Sequence, residues 1–299
     1  MPLSRESRKF RRLLLAAAVL ATAGARVAHA QEDAPLPATD AATPHEPLPL
    51  WEVGLVGIGA YQPAYPGADK DIARARLLPY AIYRGSVLRL DGGGVGVRAF
   101  STPRFEWEAS GSAAFGSSAN QVPARAGMPN IGTLVEIGPA LKVNLGDLID
   151  PSRDARKTRL EIPVRAVFEA SHGVRHEGWT FEPRLTHTAW EGSTASVVLS
   201  ASMLFGDKTL NHLYYGVDAP YVTADRPAYE AKAGLVASRF GVSLRHRINN
   251  SLRLSWFAQA ETLHGAANED SPLVRSKQDA GIGVSLIWGV WHSSETGTE

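Results

Sequence analysis

The chain has 299 residues, with 31 Lys and Arg against 30 Asp and Glu, 44% hydrophobic residues and no cysteine. Without cysteine there is no disulfide, no thiol chemistry, no Cys-ligated metal and no lipid on an N-terminal cysteine, so a membrane location has to come from the fold itself. The near-neutral balance removes the electrostatic footprint of a nucleic-acid binder, and no apolar run after Ala30 reaches the roughly 18 residues that a spanning helix needs.

At the start, Arg5, Arg8, Lys9, Arg11 and Arg12 precede the apolar run Leu13 to Gly24 and the small-x-small step Ala28-His29-Ala30. These are the three parts of a signal peptide over residues 1–30, with cleavage after Ala30. Cleavage there removes six Lys or Arg and one acid, Glu6, and turns the balance to −4. Residues 31–50 carry Pro35, Pro37, Pro44, Pro47 and Pro49 among Ala, Thr, Asp and Glu with no period, which reads as a disordered periplasmic lead-in.

From Trp51 onward the chain alternates. Phe105, Trp107, Ala109, Gly111, Ala113 and Phe115 are interleaved with Glu106, Glu108, Ser110 and Ser112, and Leu160, Ile162, Val164 and Phe168 with Arg159, Glu161, Arg165 and Glu169. The same rhythm sets Trp179, Phe181 and Leu185 against Glu182 and Arg184, and Leu252, Leu254 and Trp256 against Arg253, Ser255 and Glu261. Segments of this length, apolar on one face and polar on the other in an exported chain, predict an all-β fold: a closed antiparallel transmembrane β-barrel over residues 51–289 with a tail at 290–299. The alternative is a sandwich in which the apolar faces of two sheets meet.

The spacing predicts twelve strands, near 51–61, 75–84, 86–91, 94–101, 104–116, 131–146, 157–171, 173–190, 192–206, 229–248, 251–264 and 278–289, with ten and fourteen as the alternative counts. If Asp91–Gly94 is a turn, the long segments 62–74, 117–130, 207–228 and 265–277 all fall on the outer side and both termini face the periplasm. Strand 86–91 is short for a span, which takes about 9 to 11 residues. Pro139, Pro163 and Pro183 inside strands read as bulges or bends, and Asn249-Asn250 suits a tight hairpin.

The charges expected to face the lumen are Glu106, Glu108, Glu136, Lys142, Arg159, Glu161, Arg165, Glu169, Glu182, Arg184, Arg253 and Glu261. Mixed signs along an inner face would either tune a pore or, paired across it, lock it. Glu106 and Glu108 would be neutralised by Arg98 or Lys142 on neighbouring strands. Glu169, His172 and His176 are metal-ligand types, but residues three apart on a strand point to opposite faces. His187 falls on the lipid side. Asp69, Lys70, Asp71 and Arg74 mark the first outer loop as a place for a divalent cation or lipopolysaccharide, or simply for water. The seven tryptophans mostly lie in or at the ends of strands, as interface girdles do. There is no Gly-x-Ser-x-Gly elbow, zinc helix or phosphate loop, so neither an enzyme nor a cofactor is expected.

Ala64-Tyr65-Pro66-Gly67-Ala68-Asp69 after the first strand, Leu78-Pro79-Tyr80 and Leu90-Asp91-Gly92 in the next ones, Gly127-Met128-Pro129-Asn130 leading into Glu136-Ile137-Gly138-Pro139, Tyr214-Tyr215-Gly216-Val217, and Asp270-Ser271-Pro272-Leu273-Val274 come in this order along the chain. Together they resemble the MipA/OmpV family, also called MltA-interacting-protein-like. The resemblance implies a barrel in the outer membrane of a Gram-negative bacterium, in contact with outer-membrane lipid and lipopolysaccharide. It also implies a scaffold joining a lytic transglycosylase to a penicillin-binding synthase, so that murein hydrolysis and synthesis are held at the membrane. Porin-like and adhesive roles are the alternatives, and no catalytic residue carries over.

Overall fold

A computed structural model describes residues 49–84, 88–91, 94–102, 104–114, 116–146, 157–171 and 173–295. The expected signal peptide, nearly all of the lead-in, the turn 147–156, His172, Gly92-Gly93 and the last four residues of the tail lie outside the described residues.

Among the described residues thirteen strands follow one another: β1 (Trp51–Pro63), β2 (Asp71–Arg84), β3 (Leu88–Asp91), β4 (Gly94–Ser101), β5 (Phe105–Ala114), β6 (Leu134–Gly146), β7 (Thr158–Glu169), β8 (Arg175–Phe181), β9 (Arg184–Glu191), β10 (Ala195–Gly206), β11 (Gly234–Arg247), β12 (Leu252–Thr262) and β13 (Gln278–His292). The one α-helix among the described residues, α1 (Lys208–Tyr215), follows β10. Neighbours in sequence pair antiparallel except β8 with β9, and β13 returns to β1 in a ladder from Tyr61 opposite Ile282 to Glu52 opposite His292, so the sheet closes on itself. Both β8 and β9 pair with β7 on one side and β10 on the other. They are two halves of one strand position, parted at Glu182-Pro183, and the ring has twelve positions.

The dyad rhythm decides which way the wall faces. Trp107, Ile137, Leu199, Val242 and Leu286 are exposed, while Ser110, Arg165, Glu182, Arg239 and Ser285 on the alternate positions are buried. A sandwich would bury the first set, so the closed ring with its apolar exterior excludes that alternative; the outer surface suits hydrocarbon. Val242 lies mid-strand opposite Leu199 and Ala258. A Val242→Arg barrel is expected to lose about 2–4 kcal/mol of stability in urea unfolding from lipid vesicles; a change inside about 0.5 kcal/mol would take Val242 out of the hydrocarbon.

Pro183 behaves differently from Pro139 and Pro163. Pro183 does break its strand. Pro139 and Pro163 are not bulges: Ala109 faces Pro139 and Ala140 faces Pro163 in continuous register. At this point β7 crowds β6, so that a Cβ on Gly138 would lie 2.0 Å from the Val164 carbonyl oxygen. Glycine is required there by close approach, and the missing N–H of Pro139 falls where the β6–β7 ladder is interrupted. The register shifts sit elsewhere, between Val53 and Gly54, Val197 and Val198, and Leu204 and Phe205 among others.

β13 continues past Trp288 and Gly289 to His292, and Ser293 donates its backbone N–H to the Trp51 carbonyl at 2.9 Å. The first tail residues thus extend the barrel's lower seam. Trp51 is drawn into that seam and is only 8% exposed, whereas Trp107, Trp179, Trp190, Trp256, Trp288 and Trp291 face outward. Strand direction puts the connections 64–70, 115–133, 207–233 and 263–277 at the end opposite the termini. The fully described connections at the other end, 192–194 and 248–251, are short.

Candidate functional site

The four long connections fold against one another. Asp207 caps α1, its Oδ1 accepting the Leu210 N–H at 2.9 Å. The helix lies so close to β8 that a Cβ on Gly178 (φ +121°) would meet Asp207 Oδ1 at 2.2 Å. Leu210 and Tyr215 join Tyr65, Ala68, Val122, Leu134, Val236, Leu263 and Leu273 in one buried apolar cluster drawn from all four connections and the strand ends below them. A barrel mouth that held only water would not bury such side chains, so this core roofs the outer end.

Polar ties fix the roof. The Tyr65 hydroxyl donates to the Leu273 carbonyl at 2.7 Å, the Tyr215 hydroxyl to the Pro66 carbonyl at 3.1 Å, and the Ser271 hydroxyl to the Tyr215 carbonyl at 2.8 Å. Gly67, at φ +87°, turns its carbonyl to the N–H groups of Arg275 and Ser276. Gly216 passes His212 so closely that a Cβ would sit 2.3 Å from its Nδ1. Gly127 turns with φ +78° ahead of Met128 and Pro129, Met128 packs on the apolar cluster, and Pro272 lies between Ser271 and Leu273. Burial pushes the Tyr65 hydroxyl up to about 12 and Tyr215 well above its usual range, so both stay protonated donors at any physiological pH.

Two buried arginines serve as the roof's cross-braces. Arg125, 3% exposed, donates to the carbonyls of Leu213 (3.2 Å), Tyr214 (3.0 Å) and Pro129 (3.3 Å), with its guanidinium 5.7 Å from the Tyr65 ring centre. Arg226, 6% exposed, donates to Ala124 and Ala126, both at 3.0 Å, and to Tyr221 at 2.9 Å. A planar fork can satisfy several carbonyls at once, which an ammonium cannot do as well. Burial lowers the Arg125 pKa, and the nearby phenol of Tyr65 works the other way.

Beneath the roof the inner face carries ion pairs. Arg165 lies 3.6 Å from Glu136 and 3.5 Å from Glu161, and its Nε donates to Ser110 at 3.1 Å. Lys142 pairs with Glu108 at 2.5 Å and stands opposite Glu106 in register. Glu182 accepts from Arg184 at 3.0 Å and Ser202 at 2.9 Å, and lies 3.5 Å from Arg239, whose Nε meets Glu261 at 2.6 Å. Arg253 and Tyr80 both hold Glu52, Arg159 reaches Asn144 at 3.4 Å, and Glu169 takes Arg175 at 3.9 Å. An apolar cluster of Val56, Ile58, Tyr80, Phe257 and Ile287 adds a dry patch on the inside.

Asp71 and Arg74 belong to β2, not to the first loop, where only Asp69 and Lys70 are left exposed; the Arg74 guanidinium bonds the Gly116 carbonyl at 3.2 Å. Loop closure over β1 and β2 is the reason: the strand pairing continues to Pro63 opposite Asp71. Glu169 is buried whereas His176 stacks outward on Phe168 and Trp179, so the two do not converge. No group of three His, Cys, Asp or Glu able to hold a metal occurs among the described residues. His187 Nδ1 lies 2.9 Å from the Thr158 hydroxyl, its cross-strand partner.

Sequence reasoning missed Arg125, Arg226, Glu52, Tyr80 and Arg239. The last was within reach, since Arg239, Gly241 and Ser243 alternate with Phe240, Val242 and Leu244. Glu52 was not, because Val56 and Ile58 make β1 apolar on both faces.

No curated protein matches the chain. Among solved structures, the NanC porin is similar with 10% identity over 79% of this chain and all of its own (TM-score 0.40). The CymD monoaromatic hydrocarbon channel has 10% identity over 90% of this chain and 96% of its own (TM-score 0.40), and the toluene transporter TbuX of Ralstonia pickettii 10% over 80% and 89% (TM-score 0.31). The family model described as MltA-interacting protein MipA matches residues 55–290. That stretch runs from the first strand into the last and includes every segment knotted into the roof, and the chain belongs to the MltA-interacting protein MipA family.

Proposed function

We propose that this protein is a non-conducting, non-enzymatic outer-membrane anchor that holds murein-remodelling enzymes at the membrane's inner surface. The observation that carries this reading is the roof: four connections share one buried core over the mouth, above an inner face whose charges are paired between neighbouring strands along the wall. Roofing removes the straight path a solute would take, and pairing neutralises the charges that would attract an ion. What remains is a body whose chain ends and the connection 147–156 face the periplasm, the side where murein lies. The family's description as an interacting protein of MltA fits a lytic transglycosylase as one partner, and a penicillin-binding synthase is the second that we assign to the same surface.

Two measurements on one preparation test the reading. Purified barrel in planar bilayers is expected to be silent, and a tagged barrel is expected to co-purify a lytic transglycosylase from detergent extracts. Recovery should fall when residues 31–49 are deleted or 147–156 are exchanged for a short turn. Steady single-channel conductance together with unchanged recovery would replace the anchor by a porin-like channel.

A further inference from the structure

Between the roof and the inner face is a cavity of about 50 Å³, room for three or four waters at roughly 10–15 Å³ each. Tyr65 and Tyr214 bound it above, Phe257 from the wall, and Gln62, Gln259, Glu261, Asp279 and the guanidinium of Arg239 supply polar atoms, two carboxylates against one cation. The Phe257 ring is held in place because Gly283 leaves it room: a Cβ there would come within 2.3 Å of the ring.

The charges around this space are unevenly matched. Glu261 is taken by Arg239 at 2.6 Å, and Arg239 shares Glu182 with Arg184. Asp279 is partly buried, accepts the Gly67 N–H at 3.2 Å and a hydrogen bond from the Ser276 side chain, and has Asp71 and Asp69, of its own sign, nearby. A carboxylate so placed favours a cation and repels an anion. A divalent metal would need several oxygen ligands, and the described residues offer no such group. A compact organic cation needs only one carboxylate and aromatic faces.

We infer that this cavity is a seat for a small alkylammonium ion, with Asp279 as its counter-charge and Tyr65, Tyr214 and Phe257 as its aromatic wall. The seat is independent of whether the barrel conducts.

Methylammonium chloride titrated into the folded, detergent-solubilised barrel, and followed by saturation transfer to its methyl protons, tests it. Saturable binding is expected, displaced by ethylammonium and not by tetraethylammonium, which exceeds the cavity. Asp279→Asn should weaken binding at least tenfold. Phe257→Leu should weaken it by about 2- to 30-fold, the range of a cation–π contact. It also serves as the second variant if Asp279→Asn does not keep the heat-modifiable migration of a folded barrel. The inference is overturned by absence of saturable binding to the wild-type barrel, by equal affinity in a folded Asp279→Asn or Phe257→Leu barrel, or by displacement with tetraethylammonium.

Discussion

An Arg125→Ala barrel is expected to keep its wall and lose its roof. The side chain donates to three carbonyls, those of Leu213, Tyr214 and Pro129, and thereby ties the connection 115–133 to α1. Hydrogen bonds to a charged group contribute about 1.5–3 kcal/mol each and do not add fully, so the roof loses roughly 3–5 kcal/mol. None of this touches the ring of strand pairs, and the loss is therefore local. Limited proteolysis should cut within 115–133 and 207–233 about 100-fold faster or more, at a tenfold change per 1.4 kcal/mol, while heat-modifiable migration stays normal. Arg125→Lys should recover only part, since one ammonium cannot span three carbonyls with a fixed fork. Cleavage at the wild-type rate would mean that the apolar core around Tyr215 and Leu273 holds the roof unaided.

The wall was legible in the sequence because its rule is local. Glu106 to Ser112 alternate throughout and Leu252 to Glu261 alternate except at Phe257, and a slip by one residue would put Arg and Glu into hydrocarbon. Residues 173–190 read as one strand, which is how β8 and β9 are placed even though Pro183 parts them. The roof was not legible, because its contacts join residues far apart: Tyr65 meets Leu273 across 208 positions and Tyr215 meets Pro66 across 149. Its motif segments were visible as marks of a family, but no period or spacing says that they meet. The helix α1 falls in a segment expected as loop, since eight residues are too few to establish a 3.6-residue period. Its only local sign was Asp207 ahead of it, with Gly216 behind. Strand starts expected at 131 and 229 fall later, at Leu134 and Gly234, because Ile131 and Tyr229 make isolated bridges to Ser117 and Val217 within the roof.

Replacing Arg239 by methionine should cost about 3–5 kcal/mol, the usual loss when one partner of a buried pair is removed. Arg239 is 7% exposed and serves two carboxylates, Glu261 at 2.6 Å and Glu182 at 3.5 Å. Glu182 would keep Arg184 and Ser202. Glu261 would keep no such partner in the cluster described, and the penalty is mainly its stranded charge. Urea unfolding from lipid vesicles should therefore show the double variant Arg239→Met with Glu261→Gln recovering most of the loss, with a coupling between the two sites inside the 0.5–3 kcal/mol seen for directly interacting groups. The size of the single-variant loss also bears on what the barrel does. A pair exposed to water is worth about 0–1 kcal/mol, so a loss in that range would mean that water reaches Glu261 freely beneath the roof. An interior that wet has a solvent path along its wall, which is the property of a channel; a loss of several kcal/mol requires that the roof shuts Glu261 and the small cavity beside it off from bulk water.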